Sequence, residues 1–205
     1  MKSKNNLRHY FISSEHSEDD YFQFEHKQLG EVFKFTSCGD VFSKNEIDYG
    51  SQVLINTIVK EKEFYTGKIL DMCCGYGTIA IILSKFLNAQ FDGCDINTLA
   101  IKLANVNIKH NSAHVDKIFV SDMWSEVPDK YNHVVSNPPI KVGKSVLIKF
   151  LDGLFDHVEA NGSVTIVIKK NLGADSTKRY LEKIFGNCEV LNRDKGYYIL
   201  RSIKH

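Results

Sequence analysis

The sequence lacks the features that mark several classes of protein. Only five of its 205 residues are cysteine, an odd number with no C-x-x-C pair, which argues against a disulfide framework or a zinc site. A net charge of +1 excludes overall basicity, so any contact with RNA or DNA must come from a local patch. The N-terminus lacks the apolar core of a signal peptide, and the longest apolar run, residues 79–83, is too short to span a bilayer. We therefore expect a soluble, cytoplasmic protein that holds no metal and enters no membrane.

The organisation of the chain is simple, because no internal repeat, low-complexity tract or linker interrupts it. Residues 1–20 are polar and predict a flexible arm, and residues 21–205 predict a single domain. Residues 21–26 and 31–36 alternate between apolar and polar side chains, which predicts an N-terminal β-hairpin. Residues 43–46 (S-K-N-E) fit a capping box, so the first helix is expected to follow them directly.

Beyond residue 66, segments with strand-like and helix-like patterns alternate. The predicted strands are residues 69–72, 90–94, 117–120, 133–136, 164–168, 189–192 and 197–203. The predicted helices are residues 78–87, 98–111 (with Asn97 as its cap), 144–158 and 176–185. Such alternation predicts an α/β fold, with a mostly parallel seven-stranded sheet covered by helices on both faces. A turn at Asp194-Lys195-Gly196 joins the last two strands as a hairpin, which makes the last strand antiparallel.

The motif that organises the chain is K-I-L-D-M-C-C-G-Y-G-T, residues 68–78. An apolar run ends at Asp71, a turn containing Gly75 and Gly77 follows, and an apolar segment of helix length then begins. This order of strand, glycine loop and helix places a nucleotide-like ligand against a helix N-terminus. Cys73 and Cys74 stand where a dinucleotide-binding motif has its first glycine.

Acidic residues follow the next two predicted strands. Ligands of open α/β sheets bind beyond the carboxyl ends of the strands. Asp95 follows the second strand and is well placed to accept both hydrogen bonds of a ribose diol. Asp122 follows the third strand and could accept from an adenine amino group, with Met123 packed on the ring.

Asn137-Pro138-Pro139 follows the fourth strand and is the most chemically specific feature. Prolines donate no backbone N–H and fix φ, so the carbonyl of Pro138 and the amide oxygen of Asn137 provide two fixed acceptors. This pair suits a planar amine with two N–H bonds. Holding both hydrogens bends the nitrogen toward tetrahedral geometry and frees its lone pair for attack on a methyl sulfonium. Positioning and electrostatics then supply the rate without a general base.

Each of these features has a simpler explanation when taken alone. An Asp at a strand end is often a helix cap or a turn residue, the two glycines could serve only the turn, and Asn-Pro-Pro could be a rigid loop breaker. Four such features at four successive strand ends are much less expected by chance. Their combination favours a ligand site at one edge of the sheet.

The combination resembles a class I S-adenosylmethionine-dependent methyltransferase of the branch that modifies amino groups. It is similar, more narrowly, to the small-domain family of bacterial 16S ribosomal RNA guanine-N2 methyltransferases. Residues 33–36 (F-K-F-T), 39–44 (G-D-V-F-S-K, with Asp40 as an apparent insertion) and 195–198 (K-G-Y-Y) share this likeness, which covers about residues 9–203. The resemblance implies a Rossmann-like class I methyltransferase fold and S-adenosylmethionine as cofactor.

The resemblance also implies roles for individual residues. Those expected at the cofactor are Asp71, Cys73, Gly75, Gly77, Asp95, Ile96, Asp122, Met123 and Asn137. Asn137, Pro138 and Pro139 are expected to be catalytic, and Ile140, Phe42, Lys141 and Lys144 to contact the substrate. Two departures stand out: Cys73 replaces a familial glycine, and Ile140 replaces the aromatic residue of enzymes that act on DNA adenine or protein glutamine. Base stacking must then come from elsewhere, for which Phe42 is one candidate.

The implied partner is ribosomal RNA or the small ribosomal subunit, bound by a monomer or homodimer. The candidate cations for RNA are Lys141, Lys144, Lys149, Lys169, Lys170, Lys178 and Arg179, each of which could equally be a solvated helix charge. A paired target base would have to be flipped out to reach Asn137. Two other functions stay open, methylation of a protein glutamine or a DNA adenine, and a catalytically eroded module that binds S-adenosylmethionine or RNA.

Overall fold

The computed structural model describes residues 21–39, 41, 46–128, 130–140 and 143–205. The predicted arm at residues 1–20 lies outside the described residues, as do Phe42 and Lys141. The backbone of Lys144 is described, but its side chain is not.

The N-terminal hairpin forms as predicted and is a separate two-stranded sheet. Strands β1 (Tyr21–Gln28) and β2 (Glu31–Cys38) pair antiparallel. Leu29 and Gly30 connect them with φ of 53° and 83°, the left-handed conformation that a tight hairpin turn requires.

The main sheet has seven strands in the order β5-β4-β3-β6-β7-β9-β8. They are β3 (Gly67–Met72), β4 (Ala89–Asp95), β5 (Lys117–Val120), β6 (Tyr131–Ser136), β7 (Val158–Lys169), β8 (Glu189–Asp194) and β9 (Tyr197–Ile203). Strands β3 to β7 pair parallel, and β9 is antiparallel to both of its neighbours. This confirms the predicted fold class, including the antiparallel last strand.

In the part of the chain that the structure describes, five α-helices cover the two faces of this sheet. They are α1 (Tyr49–Lys60), α2 (Thr78–Phe86), α3 (Thr98–Asn111), α4 (Lys144–His157) and α5 (Ala174–Phe185), with a short 3-10 helix at Lys170–Leu172. One apolar core lies between the sheet and α1, α2, α3 and the hairpin, and the second lies between the sheet and α4 and α5. Successive strand residues enter opposite cores, as Ile69 and Leu70 do, because side chains alternate across a strand.

The predicted start of the first helix was wrong. Helix α1 begins at Tyr49, and its N-cap is Asp48, whose carboxylate accepts the N–H of Ser51 at 3.2 Å. Of the predicted capping box, only Glu46 is among the described residues, and it lies before the helix. Asp48 satisfies an end donor of the helix that Ser43 was expected to serve. The other predicted cap, Asn97 on α3, is confirmed by bonds from Leu99 and Ala100.

A buried asparagine fastens the hairpin to the domain. The Asn107 amide on α3 accepts the Thr36 N–H at 2.7 Å and donates to the Thr36 and Tyr76 carbonyls, each at 3.0 Å. Asn107 is fully buried, and Tyr76 belongs to the glycine loop. One side chain therefore holds three separate segments in register.

We predict that Asn107→Ala lowers the free energy of unfolding by about 3 kcal/mol, because it leaves buried backbone groups unpaired. Asn111→Ala is a matched control, since Asn111 makes the same pair of bonds, both 2.8 Å, to the backbone of Lys34 at an exposed position. Water replaces its amide there, so the control should lose less than about 1 kcal/mol. Urea unfolding measures both values. Equal losses would show that the burial of Asn107 does not determine how much its hydrogen bonds stabilise the protein.

Candidate functional site

A cavity of about 600 Å³ opens at the carboxyl edge of the parallel strands, a volume suited to one cofactor-sized ligand. The predicted site residues that line it are Cys73, Gly75, Asp95, Ile96, Asp122, Met123, Asn137, Pro138, Pro139 and Ile140. Asp71 and Gly77 do not line it. The structure thus brings the four predicted strand-end features together around one space.

Asp71 lies behind the cavity wall and is completely buried. Its Oδ2 accepts the Ala80 N–H in the first turn of α2 at 3.0 Å. Burial raises the pKa of this carboxyl from its ordinary 3.8 to about 8, opposed by the Ala80 N–H and reinforced by the charge of Asp95. Asp71 therefore ties β3 to α2 and shapes the glycine loop from behind.

The two loop glycines have different roles. Both have positive φ, 55° at Gly75 and 89° at Gly77. A Cβ on Gly75 would meet no atom within 4 Å, whereas one on Gly77 would lie 3.2 Å from the Cβ of Ala104 on α3. Gly75 is therefore required for the backbone conformation beside the cavity, and Gly77 additionally for the close packing of α2 on α3.

Cys73 also has a positive φ, 61°, at the position where the resemblance leads us to expect glycine. The left-handed conformation is strained for a residue with a Cβ. Burial, more than the nearby Asp95, Cys94 and Asp71, raises the pKa of its thiol well above the ordinary 9.0. The thiol is therefore protonated and is a small neutral part of the wall rather than a nucleophile.

Asp95 is held by two backbone donors. Its Oδ2 accepts the Gly75 N–H and its Oδ1 the Asn97 N–H, both at 2.9 Å. Each carboxylate oxygen can accept a second hydrogen bond, so the group stays able to bind a diol. Beside it, the side chain of Ile96 is 62% exposed and gives the cavity an apolar edge.

The turn after β5 is shaped by Ser121. Its hydroxyl donates to the Met123 carbonyl at 2.6 Å and accepts the Glu126 N–H at 3.1 Å, which supports a φ of 51° at Met123. Asp122 is exposed between them, at the cavity. The turn thus presents a carboxylate and a thioether side by side.

The amide of Asn137 has a defined orientation. Its Nδ2 donates to Asp48 Oδ2 at 2.9 Å and to Ser51 Oγ at 3.0 Å. An ionised carboxylate can only accept, so the NH₂ side of the amide must face Asp48. Because no described residue donates to it, Oδ1 is left as an acceptor for a ligand.

The carbonyl of Pro138, which was expected to be a fixed acceptor for a ligand, already accepts one hydrogen bond within the protein. It accepts the N–H of Ile140 at 2.8 Å, so one of its two lone pairs is already used. The bond fixes the direction of the carbonyl and leaves its second lone pair for a ligand. The end of β6 is also tied to β3, through the Ser136 hydroxyl and the Met72 carbonyl at 2.5 Å.

Sequence reasoning missed Asp48, Ser51 and Tyr197, which all line the cavity. The available signals were the D-Y-G-S sequence at residues 48–51 and the familial K-G-Y-Y at 195–198, to which no role was given. Among the candidate cations, Lys169 lines the cavity. Lys178, another of these candidates, already forms an ion pair with Glu182 one helical turn away.

Two further searches cover only the described residues. No helix there combines the length and apolar character needed to cross a membrane. No group of three or more His, Cys, Asp and Glu side chains there is arranged to hold a metal ion.

Comparison with known proteins places the chain in a family. Residues 32–201 match the model of the "Methyltransferase small domain". The uncharacterized protein YbxB of Bacillus subtilis (strain 168) is 38% identical over 175 residues, which cover 84% of this chain and 86% of that protein. The Ribosomal RNA small subunit methyltransferase C of Vibrio vulnificus is 30% identical over 183 residues, 85% of this chain but 51% of the relative. This chain thus spans about half the length of that relative.

A solved structure supports the fold. It is the T. thermophilus 16S rRNA N2 G1207 methyltransferase in complex with AdoMet and guanosine, with a TM-score of 0.81 at 21% identity, covering 90% of this chain and 51% of that one. The fold predicted from the sequence is confirmed. This chain belongs to the methyltransferase small domain family.

Proposed function

We propose that the protein transfers a methyl group from S-adenosylmethionine to an exocyclic amino group, and that its target is guanine N2 of 16S ribosomal RNA, in free RNA or in the small subunit. The orientation of Asn137 carries this proposal. With Nδ2 held by Asp48 and Ser51, Oδ1 can only be offered to a donor. A planar amine is such a donor, with two N–H bonds.

The cavity wall fits the cofactor. The Gly75 backbone and Cys73 would lie along its amino-acid part, the Asp95 carboxylate would accept from the ribose, and Ile96 and Met123 would pack on the adenine beside Asp122. Gly75 supports this fit, since no atom lies within 4 Å of the place where its Cβ would stand. When bound, S-adenosylmethionine supplies an electrophilic methyl group on a sulfonium.

The chain's part in the reaction is to hold and orient the amine. Asn137 Oδ1 and the free lone pair of Pro138 accept its two hydrogens, which draws the nitrogen out of conjugation with the ring. Pro139 donates no N–H and keeps this turn rigid. The rate then depends on positioning and on fixed dipoles rather than on a titrating base.

Two observations favour an RNA guanine over the other amines. Relatives are named as ribosomal RNA methyltransferases, and the solved neighbour was obtained with guanosine. Ile140 gives the turn after Asn-Pro-Pro no aromatic ring, in contrast to the pattern of enzymes that act on DNA adenine or protein glutamine. The direct test incubates the protein and labelled S-adenosylmethionine with small ribosomal subunits from a strain that lacks the gene. Label in a guanine is expected, and its absence would refute the proposed target.

We predict that Asn137→Ala lowers kcat by about 100-fold or more, since it removes a fixed acceptor that acts on the reacting amine. Cofactor affinity should change less than about twofold, because the cofactor is held mainly by the walls after β3, β4 and β5. Methyl-transfer assays and calorimetry give the two values. Equal losses of turnover and of cofactor affinity would contradict the assigned role.

Asp48→Asn tests the orientation of that amide separately. Asn is as good a helix cap as Asp, so α1 should keep its stability. It can, however, present an NH₂ group to Asn137, which permits the wrong amide orientation. We expect a roughly tenfold loss of kcat, the value of about one hydrogen bond, with an unchanged melting temperature. A loss confined to stability would show that Asp48 is only a cap.

Cys73→Gly tests the strain in the loop. Removal of the Cβ at φ 61° should stabilise the protein by about 1 kcal/mol and should leave cofactor binding intact or tighter. Leu29→Gly is the matched control, because Leu29 has φ 53° in the hairpin turn. It should give a similar gain in stability without any change in cofactor affinity. Weaker cofactor binding by Cys73→Gly would instead assign the Cys73 side chain a direct contact.

A further inference from the structure

Two neighbouring tyrosines lie between two lysines in a row that runs from the cavity to the tip of the β8–β9 hairpin. Lys169 Nζ lies 5.5 Å from the ring centre of Tyr197, whose ring lies 5.8 Å from that of Tyr49. Lys195 Nζ lies 4.5 Å from the ring centre of Tyr49. We call these four residues the lysine–tyrosine strip. Because Lys169 and Tyr197 line the cavity, one end of the strip opens into the candidate site.

The backbone holds the strip in place. Lys169 and Tyr197 are paired in the β7–β9 ladder. Lys195 and Gly196 form the hairpin turn with φ of 42° and 81°, and the Gly196 carbonyl accepts the Lys170 N–H at 2.7 Å. On the other side, the Tyr49 hydroxyl donates to Asp194 Oδ2 at 2.9 Å. The rings are therefore fixed before any ligand binds.

Tyr197 lies next to the Asp48 carboxylate, which orients the Asn137 amide. A Cβ on Gly50 would stand 2.8 Å from both Asp48 Oδ2 and Tyr197 Cε1, so these two atoms are neighbours across the glycine. Tyr76 also lines the described cavity, but it is only 4% exposed and its ring packs edge-on against Phe35. Among the described residues, Tyr197 is thus the aromatic side chain placed to contact a base at Asn137.

The two lysines remain available to an anion. Within the described residues, neither Lys169 nor Lys195 forms an ion pair with a carboxylate. An acidic peptide would satisfy the charges but would leave the rings unused. Single-stranded nucleic acid uses both, because its bases stack on aromatic rings while its phosphates meet the cations.

We propose that the lysine–tyrosine strip binds the single-stranded RNA segment next to the target base, with one base on Tyr49 and the target base against Tyr197. This rests on the proposed function for the identity of the ligand. It adds the surface along which the RNA leaves the cavity, toward the hairpin tip.

The test measures binding of a fluorescein-labelled single-stranded RNA of about 12 nucleotides by fluorescence anisotropy, with the full-length protein and S-adenosylmethionine present. Lys195→Ala should weaken binding several-fold and reduce the slope of log affinity against log salt by about 0.7, the effect of one lost phosphate contact. Tyr49→Leu should weaken binding roughly tenfold, and Tyr49→Phe should retain it, because stacking needs the ring and not the hydroxyl.

Arg193→Ala is the matched control. Arg193 is on the same hairpin and lies 4.9 Å from the Tyr198 ring centre, but Tyr198 packs on the opposite core from Tyr197. Its removal should leave RNA affinity within about twofold. Equal losses for Arg193→Ala and Lys195→Ala, or a Tyr49→Leu protein that binds as tightly as wild type, would overturn the proposal. Loss with Lys195→Ala alone would mean contact by charge only, and would also overturn it.

The outcome separates this proposal from the proposed function. If the RNA binds the lysine–tyrosine strip but no guanine is methylated, the RNA-binding surface is supported and the proposed activity is refuted. If small subunits are methylated but the Tyr49 and Lys195 variants bind RNA as tightly as the wild type, the proposed activity is supported and the proposed RNA-binding surface is refuted.

Discussion

The parallel direction of β3 to β6 is the constraint on which the site depends. Parallel strands end at the same edge of a sheet, so the turns that follow them meet there however far apart they lie in sequence. The glycine loop, Asp95, Asp122 and Asn137 are collected around one cavity for this reason. Nothing in the turns themselves requires them to be neighbours; the sheet order β5-β4-β3-β6 does.

Within that edge, the polar side chains are oriented mainly by backbone donors. Asp95 is held by two N–H groups, and Asp71 by one in the first turn of α2. Because Asp95 lines the cavity, its oxygens can each accept a further hydrogen bond from a ligand. Asn137 is the exception, because two side chains hold it, the N-cap Asp48 and Ser51 of α1. Because Asp48 orients the Asn137 amide, the beginning of α1 is part of the site, although Asp95, Asp122 and Asn137 lie at or just after the ends of strands of the sheet.

The fold, and the turns that meet at the cavity after β3, β4 and β5, could be predicted from the sequence, because both depend on local patterns. Alternating strand and helix segments predict the sheet, and each acid or glycine follows its strand directly. The start of α1 could not be predicted in the same way. Ser43 and Asp48 are both residue types that cap helices, they lie five positions apart, and tertiary contacts decide between them. The same limit applies to Tyr197. Its place beside Asp48 depends on β9 returning antiparallel next to β7 and on Gly50 leaving room for the ring, and no local pattern contains that information.

The two sides of the cavity therefore differ in how they are built. The side that is proposed to hold the cofactor is made of consecutive turns after β3, β4 and β5, each of which carries its own hydrogen bonds. The amine side combines Asp48, Asn137, Lys169 and Tyr197, which come from four elements distant in sequence. Under the proposed function, a substitution on the amine side would change which amine is held without altering the turns that hold the cofactor. If the proposed roles hold, recognition of the substrate is separable from recognition of the methyl donor, and the residues that select the substrate would lie in α1, β7 and the β8–β9 hairpin rather than in the glycine loop.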